Sequence, residues 1–176
     1  MKKYKKLAVF DLDGTLLDTP LPEIGKVVYE TKTGNQWPHL GWWGQPMSLD
    51  TEIFEIPVIQ HVIEDYLIEK EDPDTMVIML TGRMVKLTDL VKKILHEKEL
   101  TFHEYHFNKG GSTETAKIKT LNQILSQQPS IKDVTIYDDR VEHISVFKEW
   151  GKEQLNSGRL ELFKIFQIIN GKPTLV

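Results

Sequence analysis

Residues 9–19 read "VFDLDGTLLDT", and this stretch decides the fold. An apolar run is broken by Asp11 and Asp13, and Gly14 supplies a turn directly after them. "KLAVFDLD" (6–13) therefore reads as a buried strand that ends in two carboxylates. Two like charges this close are costly unless something positive sits between them. The same grammar recurs twice: "TMVIMLTGR" (75–83) runs apolar into Thr81, Gly82 and Arg83, and "DVTIYDDR" (133–140) ends in Asp138, Asp139 and Arg140. Further strands are predicted at "TFHEYHF" (101–107) and "LELFKIFQI" (160–168).

Helical spacing separates these runs. Ile53, Ile56, Ile59, Ile63 and Leu67 form one face, and Leu87, Leu90, Val91, Ile94 and Leu95 a second. Ile118, Leu121, Ile124 and Leu125 form a third, and Ile144, Phe147 and Trp150 a fourth. Strands alternating with helices predict an α/β fold, a central parallel sheet with helices on both faces. At 176 residues the chain suits one domain, residues 1–176. Residues 20–50 break the alternation with Pro20, Pro22, Pro38 and Pro46. They read as a small insertion over the carboxyl end of the sheet, with "KVVYETK" (26–32) as one arm of a hairpin.

Composition narrows the chemistry. There is no cysteine, so thiolate catalysis and disulfides are excluded. The net charge of −4 argues against a bulk nucleic-acid coat, though not against a local basic surface. No apolar run reaches the ~20 residues of a membrane span, and Asp11 interrupts the only stretch after the lysine-rich start, so a cytoplasmic setting is expected. Oligomeric state is not legible.

In open parallel sheets the crevice lies outside the carboxyl ends of the strands. Asp11, Asp13, Asp138 and Asp139 would meet there with few cations nearby. A hard divalent cation, Mg²⁺, resolves that repulsion, because it prefers carboxylate oxygen and water and brings phosphate with it. Two rivals fail. An EF-hand loop counted from Asp11 needs Gly sixth and Glu twelfth but finds Leu16 and Pro22. A receiver domain would place its phosphorylated Asp in mid-chain, whereas here the D-x-D comes first and the D-D pair late.

In order, "DLDGT" (11–15), "MLTGR" (79–83), Lys117 at a helix start and "IYDDR" (136–140) resemble the four motifs of the haloacid dehalogenase (HAD) superfamily of phosphatases. "GWWG" (41–44), "LTGR" (80–83) and "IYDDRVEHISVF" (136–147) resemble more closely the HAD domains of Swiss Army Knife RNA repair proteins. The T-G-R and D-D-R runs are also similar to the phosphatase half of polynucleotide kinase–phosphatases. The resemblance implies a Rossmann-like HAD fold without a large cap. It implies Asp11 as the nucleophile that forms an aspartyl-phosphate, and Asp13 as general acid and then base, its backbone carbonyl a metal ligand. Thr81 would hydrogen-bond the phosphoryl oxygens, and Lys117, preferred by its spacing to Leu121 over Lys109 and Lys119, would offset their charge. Asp138 and Asp139 would complete the metal site, with the direct ligand left open between them. Thr15 would order the loop. Gly82 and Arg83 would face substrate, with Arg83 suited to a second phosphate. Trp42 and Trp43 are candidates either for stacking on a base or for packing in a small core. Arg140 either braces the acidic loop or binds substrate. Among the histidines only His143 draws notice, one turn beyond Asp139.

The expected function is a Mg²⁺-dependent phosphomonoesterase for a nucleic-acid end or nucleotide. The alternatives are a phosphotyrosine protein phosphatase with the same chemistry and a non-catalytic phosphate-binding module.

Overall fold

The computed structural model describes residues 2–176. Six strands form one sheet in the order β3-β2-β1-β4-β5-β6. They are β1 (Lys6–Phe10), β2 (Thr75–Met84), β3 (Glu104–Asn108), β4 (Asp133–Asp138), β5 (Leu162–Ile169) and β6 (Lys172–Leu175). All neighbours are parallel except β5 and β6. The helices are α1 (Pro22–Thr33), α2 (Gln60–Glu71), α3 (Thr88–Glu97), α4 (Thr113–Gln127) and α5 (Val141–Asn156). Among the described residues, no helix is long and apolar enough to cross a membrane. This is the Rossmann-like α/β architecture that the strand grammar predicts.

The period-2 alternation of β1 sorts the core into two layers. Ala8 and Phe10 face one side with Val62 and Tyr66 of α2 and Val91, Ile94 and Leu95 of α3. Leu7 and Val9 face the other with Leu121, Ile124 and Leu125 of α4 and Ile144, Phe147 and Trp150 of α5. β1 is central, and its register aligns the functional ends. Phe10 lies opposite Met79 on one side and Tyr137 on the other, so Asp11 and Asp138 emerge side by side.

Three sequence expectations change. "KVVYETK" is not a hairpin arm but the body of α1, where Pro22 occupies the first turn and Gly34 (φ 72) ends the helix in the left-handed region. The β-branched pair Val27-Val28 suits a strand better than a helix, and the two end signals override it. The helical face drawn through Ile53 and Ile56 begins too early, because α2 starts at Gln60. Pro57 disfavours helical backbone at Ile56. β6 was not anticipated, although Asn170 and Gly171 both take positive φ (50 and 72), as a two-residue type I′ hairpin requires.

Candidate active site

The carboxyl ends of β1, β2 and β4 open into a cavity of about 410 Å³ whose lining includes Asp11, Asp13, Gly82, Arg83, Asp139 and Arg140. The backbone N–H of Asp11 donates to the carbonyl of Tyr137 (3.0 Å), which extends the β1–β4 pairing one residue past the strand and fixes the carboxylate at the sheet's lip. Gly14 then turns the chain at φ +68, and a Cβ there would run into the Asp139 carboxylate. Both facts demand glycine at this position.

Lys117 projects from the first turns of α4, fully buried. Its Nζ lies 2.8 Å from Asp11 Oδ1 and 2.6 Å from Asp138 Oδ2. Asp138 also faces His143 on the first turn of α5, with Nδ1 at 3.0 and 3.1 Å from its two oxygens. The same Nδ1 lies 3.3 Å from Lys117 Nζ. Nε2 of His143 is buried and has no hydrogen-bond partner among the described residues.

Charge at this cluster is unevenly distributed. Burial pushes the Asp11 carboxyl up to about 6, with Asp138 and Asp13 adding to it against Lys117. Burial, Asp11 and Asp138 together push Asp139 up to about 7. Burial would raise Asp138 too, but Lys117 and His143 outweigh it and hold that carboxyl at about 2. Burial disfavours the ammonium of Lys117, yet the two carboxylates raise its pKa. Lys117 thus pairs with Asp11 and Asp138, and among the described residues no cation is in contact with Asp139. Asp139 Oδ1 is buried and unpartnered among the described residues. One oxygen from each of Asp11, Asp138 and Asp139 can lie within 4.8 Å of the others. Three hard oxygen donors, two of them destabilised as anions, fit Mg²⁺.

Several expected site residues take other duties. Arg83 is 1% exposed. Its Nε donates to Asp13 Oδ2 (2.9 Å) and its Nη2 to Asp13 Oδ1 (2.8 Å), while Nη1 donates to the Trp43 carbonyl (2.8 Å) and Ser48 Oγ (2.6 Å). Four of the five N–H groups of a guanidinium are thereby committed within the protein, so Arg83 braces Asp13 rather than offering a fork to a second phosphate. The Asp13 carboxylate also accepts from Thr19 Oγ1 (2.8 Å) and lines the same cavity as Asp11 and Asp139. Thr81 is buried, lies outside the cavity lining, and accepts from the Arg83 N–H through Oγ1 (3.1 Å). Thr15 is fully buried, and its Oγ1 has no partner among the described residues. Gly82 lines the cavity, and a Cβ there would stand 2.8 Å from Thr113 Cγ2 at the start of α4.

The two tryptophans separate. Trp43 is half-buried, lines the cavity, and stacks its ring 5.0 Å from the Arg83 guanidinium carbon. Trp42 is a core residue, 4% exposed and outside the cavity lining, so it does not face substrate as the sequence suggests. Ser48 and Thr19 escaped sequence reading, since isolated hydroxyls carry no motif. His143 was visible only as a spacing.

A family profile for HAD domain family 1 in Swiss Army Knife RNA repair proteins matches residues 24–175. The chain belongs to this family. The match begins after the D-x-D stretch, so Asp11 and Asp13 stand outside the matched span. Across its length the family domain here carries the T-G-R and D-D-R ends described above. A Saccharomyces cerevisiae protein, YMR265C, is 28% identical over 172 residues, covering 82% of this chain and 36% of that protein. The chain thus spans about a third of that relative's length. A solved haloacid dehalogenase-like hydrolase from Streptococcus pneumoniae, SP0104, aligns over 91% of this chain and 93% of its own at 15% identity and a TM-score of 0.49.

Proposed function

We propose that this HAD domain is a Mg²⁺-dependent phosphomonoesterase that acts through an aspartyl-phosphate on the phosphorylated end of a nucleic acid. The observation that carries the reading is the triad of Asp11, Asp138 and Asp139 beside Lys117, with Asp11, Asp139 and nearby Asp13 lining the cavity. Asp11 attacks phosphorus and the bond to the leaving oxygen breaks. Asp13 gives that oxygen a proton, then takes one from the water that cleaves the phosphorus–Asp11 bond. Lys117 offsets charge on Asp11 and on the incoming phosphoryl group. Mg²⁺, held by Asp11, Asp138 and Asp139 with the Asp13 carbonyl as the family resemblance implies, would supply electrostatic stabilisation of the phosphoryl oxygens. The family's description, RNA repair, supports a nucleic-acid end as substrate. So does the half-buried Trp43 at the cavity wall, which offers a face to a base.

The test is side-by-side kinetics on a 3′-phosphorylated oligonucleotide, an aryl phosphate and a phosphotyrosine peptide, with Mg²⁺ and with EDTA. The expected order in kcat/KM puts the oligonucleotide above the peptide, with turnover lost in EDTA. A preference for the peptide overturns the substrate, and full activity in chelator overturns the metal.

A further inference from the structure

Resting on that reading of the site, we infer that Arg140 is the specificity residue. It exchanges its bond to Glu142 for the phosphodiester that neighbours the phosphate being removed. A nucleic-acid end brings at least two anionic groups into the cavity, and the cavity's other cations are already engaged. Arg83 has four N–H groups committed to Asp13, Trp43 and Ser48. Lys117 is buried between Asp11 and Asp138. Arg140 lines the same cavity and is built differently.

Its backbone is fixed and its head is loose. The Arg140 N–H donates to Asp138 Oδ1 (3.0 Å), which anchors the residue to the acidic cluster at the N-cap of α5. The guanidinium is half exposed, and among the described residues only its Nη2 is engaged, with Glu142 Oε1 at 3.0 Å. Glu142 is itself 59% exposed, so the pair is screened by water and breaks cheaply. A phosphodiester presents two oxygens that a guanidinium can hold with parallel N–H bonds, which a single contact to Glu142 does not match. The first turn of α5, left without a side-chain cap, adds a favourable field for an anion at this spot. Phosphotyrosine and aryl phosphates bring no second phosphate and leave Arg140 on Glu142.

The experiment compares wild type, Arg140→Ala, Arg140→Lys and Glu142→Gln on a 3′-phosphorylated oligonucleotide and on an aryl phosphate. Arg140→Ala is expected to raise KM for the oligonucleotide at least tenfold more than for the aryl phosphate, with Arg140→Lys between. Glu142→Gln is expected to lower KM for the oligonucleotide, a change in the direction that structural damage would not produce. In an Asp11→Asn background, binding of the same oligonucleotide followed by anisotropy should lose about 0.7 from its log–log salt slope when Arg140 is removed, the share of one single-strand phosphate contact. Equal KM shifts on both substrates, or an unchanged salt slope, overturn the role of Arg140 while leaving the phosphatase reading intact. Absence of turnover on every phosphorylated substrate overturns that reading and this inference with it.

Discussion

Arg83 grips Asp13 by both carboxylate oxygens, at 2.9 and 2.8 Å, from a site that is itself 1% exposed. The guanidinium also ties down the Trp43 carbonyl and Ser48, so one residue of β2 fixes both the acid–base candidate and the insertion that walls the cavity. On the proposed mechanism, Arg83 would act through Asp13. Its replacement should therefore resemble loss of a general acid.

Arg83→Lys keeps the charge and loses the fork. It is expected to lower kcat on an alkyl phosphate by about 100-fold, the low end of what a positioned general acid contributes. An activated aryl phosphate, whose leaving oxygen needs little protonation, should lose far less. Arg83→Ala strands Asp13, Ser48 and the Trp43 carbonyl and is expected to cost about 3 kcal/mol of stability as well. Equal losses on the two substrates for Arg83→Lys would refute the positioning role; thermal melts separate the folding effect.

Asp11→Asn removes the proposed nucleophile while keeping the shape. Turnover should fall below a few per cent of wild type on every substrate. An uncharged group at this position also relieves the repulsion with Asp138 and Asp13 that, after burial, holds the Asp11 carboxyl up at about 6. Without Mg²⁺ the variant is expected to melt no lower than wild type. Retained activity would move the covalent step to another residue.

Stability without Mg²⁺ should fall with rising pH. Asp139 titrates at about 7 when folded and at an ordinary carboxylate value when unfolded. The unfolded chain releases this proton first, so the advantage of the folded state is complete below pH ~4 and is lost as pH rises through ~7. Asp11, raised to about 6, adds a slope of the same sign. Asp138, held at about 2, has the opposite sign and acts only at acid pH, its contribution lost as pH falls through that value. Mg²⁺ needs the ionised carboxylates, so its stabilising shift in Tm is expected to be larger at pH 8 than at pH 5.5. Asp139→Asn should raise Tm at pH 8 in chelator and abolish most of the Mg²⁺ shift. A Mg²⁺ shift that does not vary with pH would place the ion elsewhere.

What was legible in the sequence follows local rules. Asp11, Asp138 and Asp139 could be placed because each ends an apolar run, and the register of β1 against β2 and β4 carries those ends to one level. Lys117 could be placed by its position on an amphipathic helix. The role of Arg83 could not, because it depends on Ser48 and the Trp43 carbonyl, 35 and 40 residues away in the chain. The ends of α1 are marked by Pro22 and Gly34, against the strand preference of Val27-Val28 between them. The turn ahead of β6 carries a local signal in Asn170-Gly171.

The adjacent tryptophans should respond in opposite ways. Trp42 donates from Nε1 to the Pro20 carbonyl (3.1 Å) and packs 4.6 Å from Trp37 and 5.5 Å from Phe54, ring centre to ring centre. Gly25 of α1 lies against its ring so closely that a Cβ would collide with it. Trp42→Ala is expected to cost about 3–5 kcal/mol, as for a large core aromatic, and Gly25→Ala to destabilise through the same contact. Trp43 lines the cavity with its ring over the Arg83 guanidinium. If a base stacks there, Trp43→Ala removes about 1–3 kcal/mol of oligonucleotide binding, a rise in KM of roughly 5- to 150-fold, with a smaller change on an aryl phosphate. Melting curves and paired kinetics on both variants decide the matter. A large loss of Tm for Trp43→Ala, with KM changed equally on both substrates, would assign this tryptophan to the core as well and leave the base without a platform.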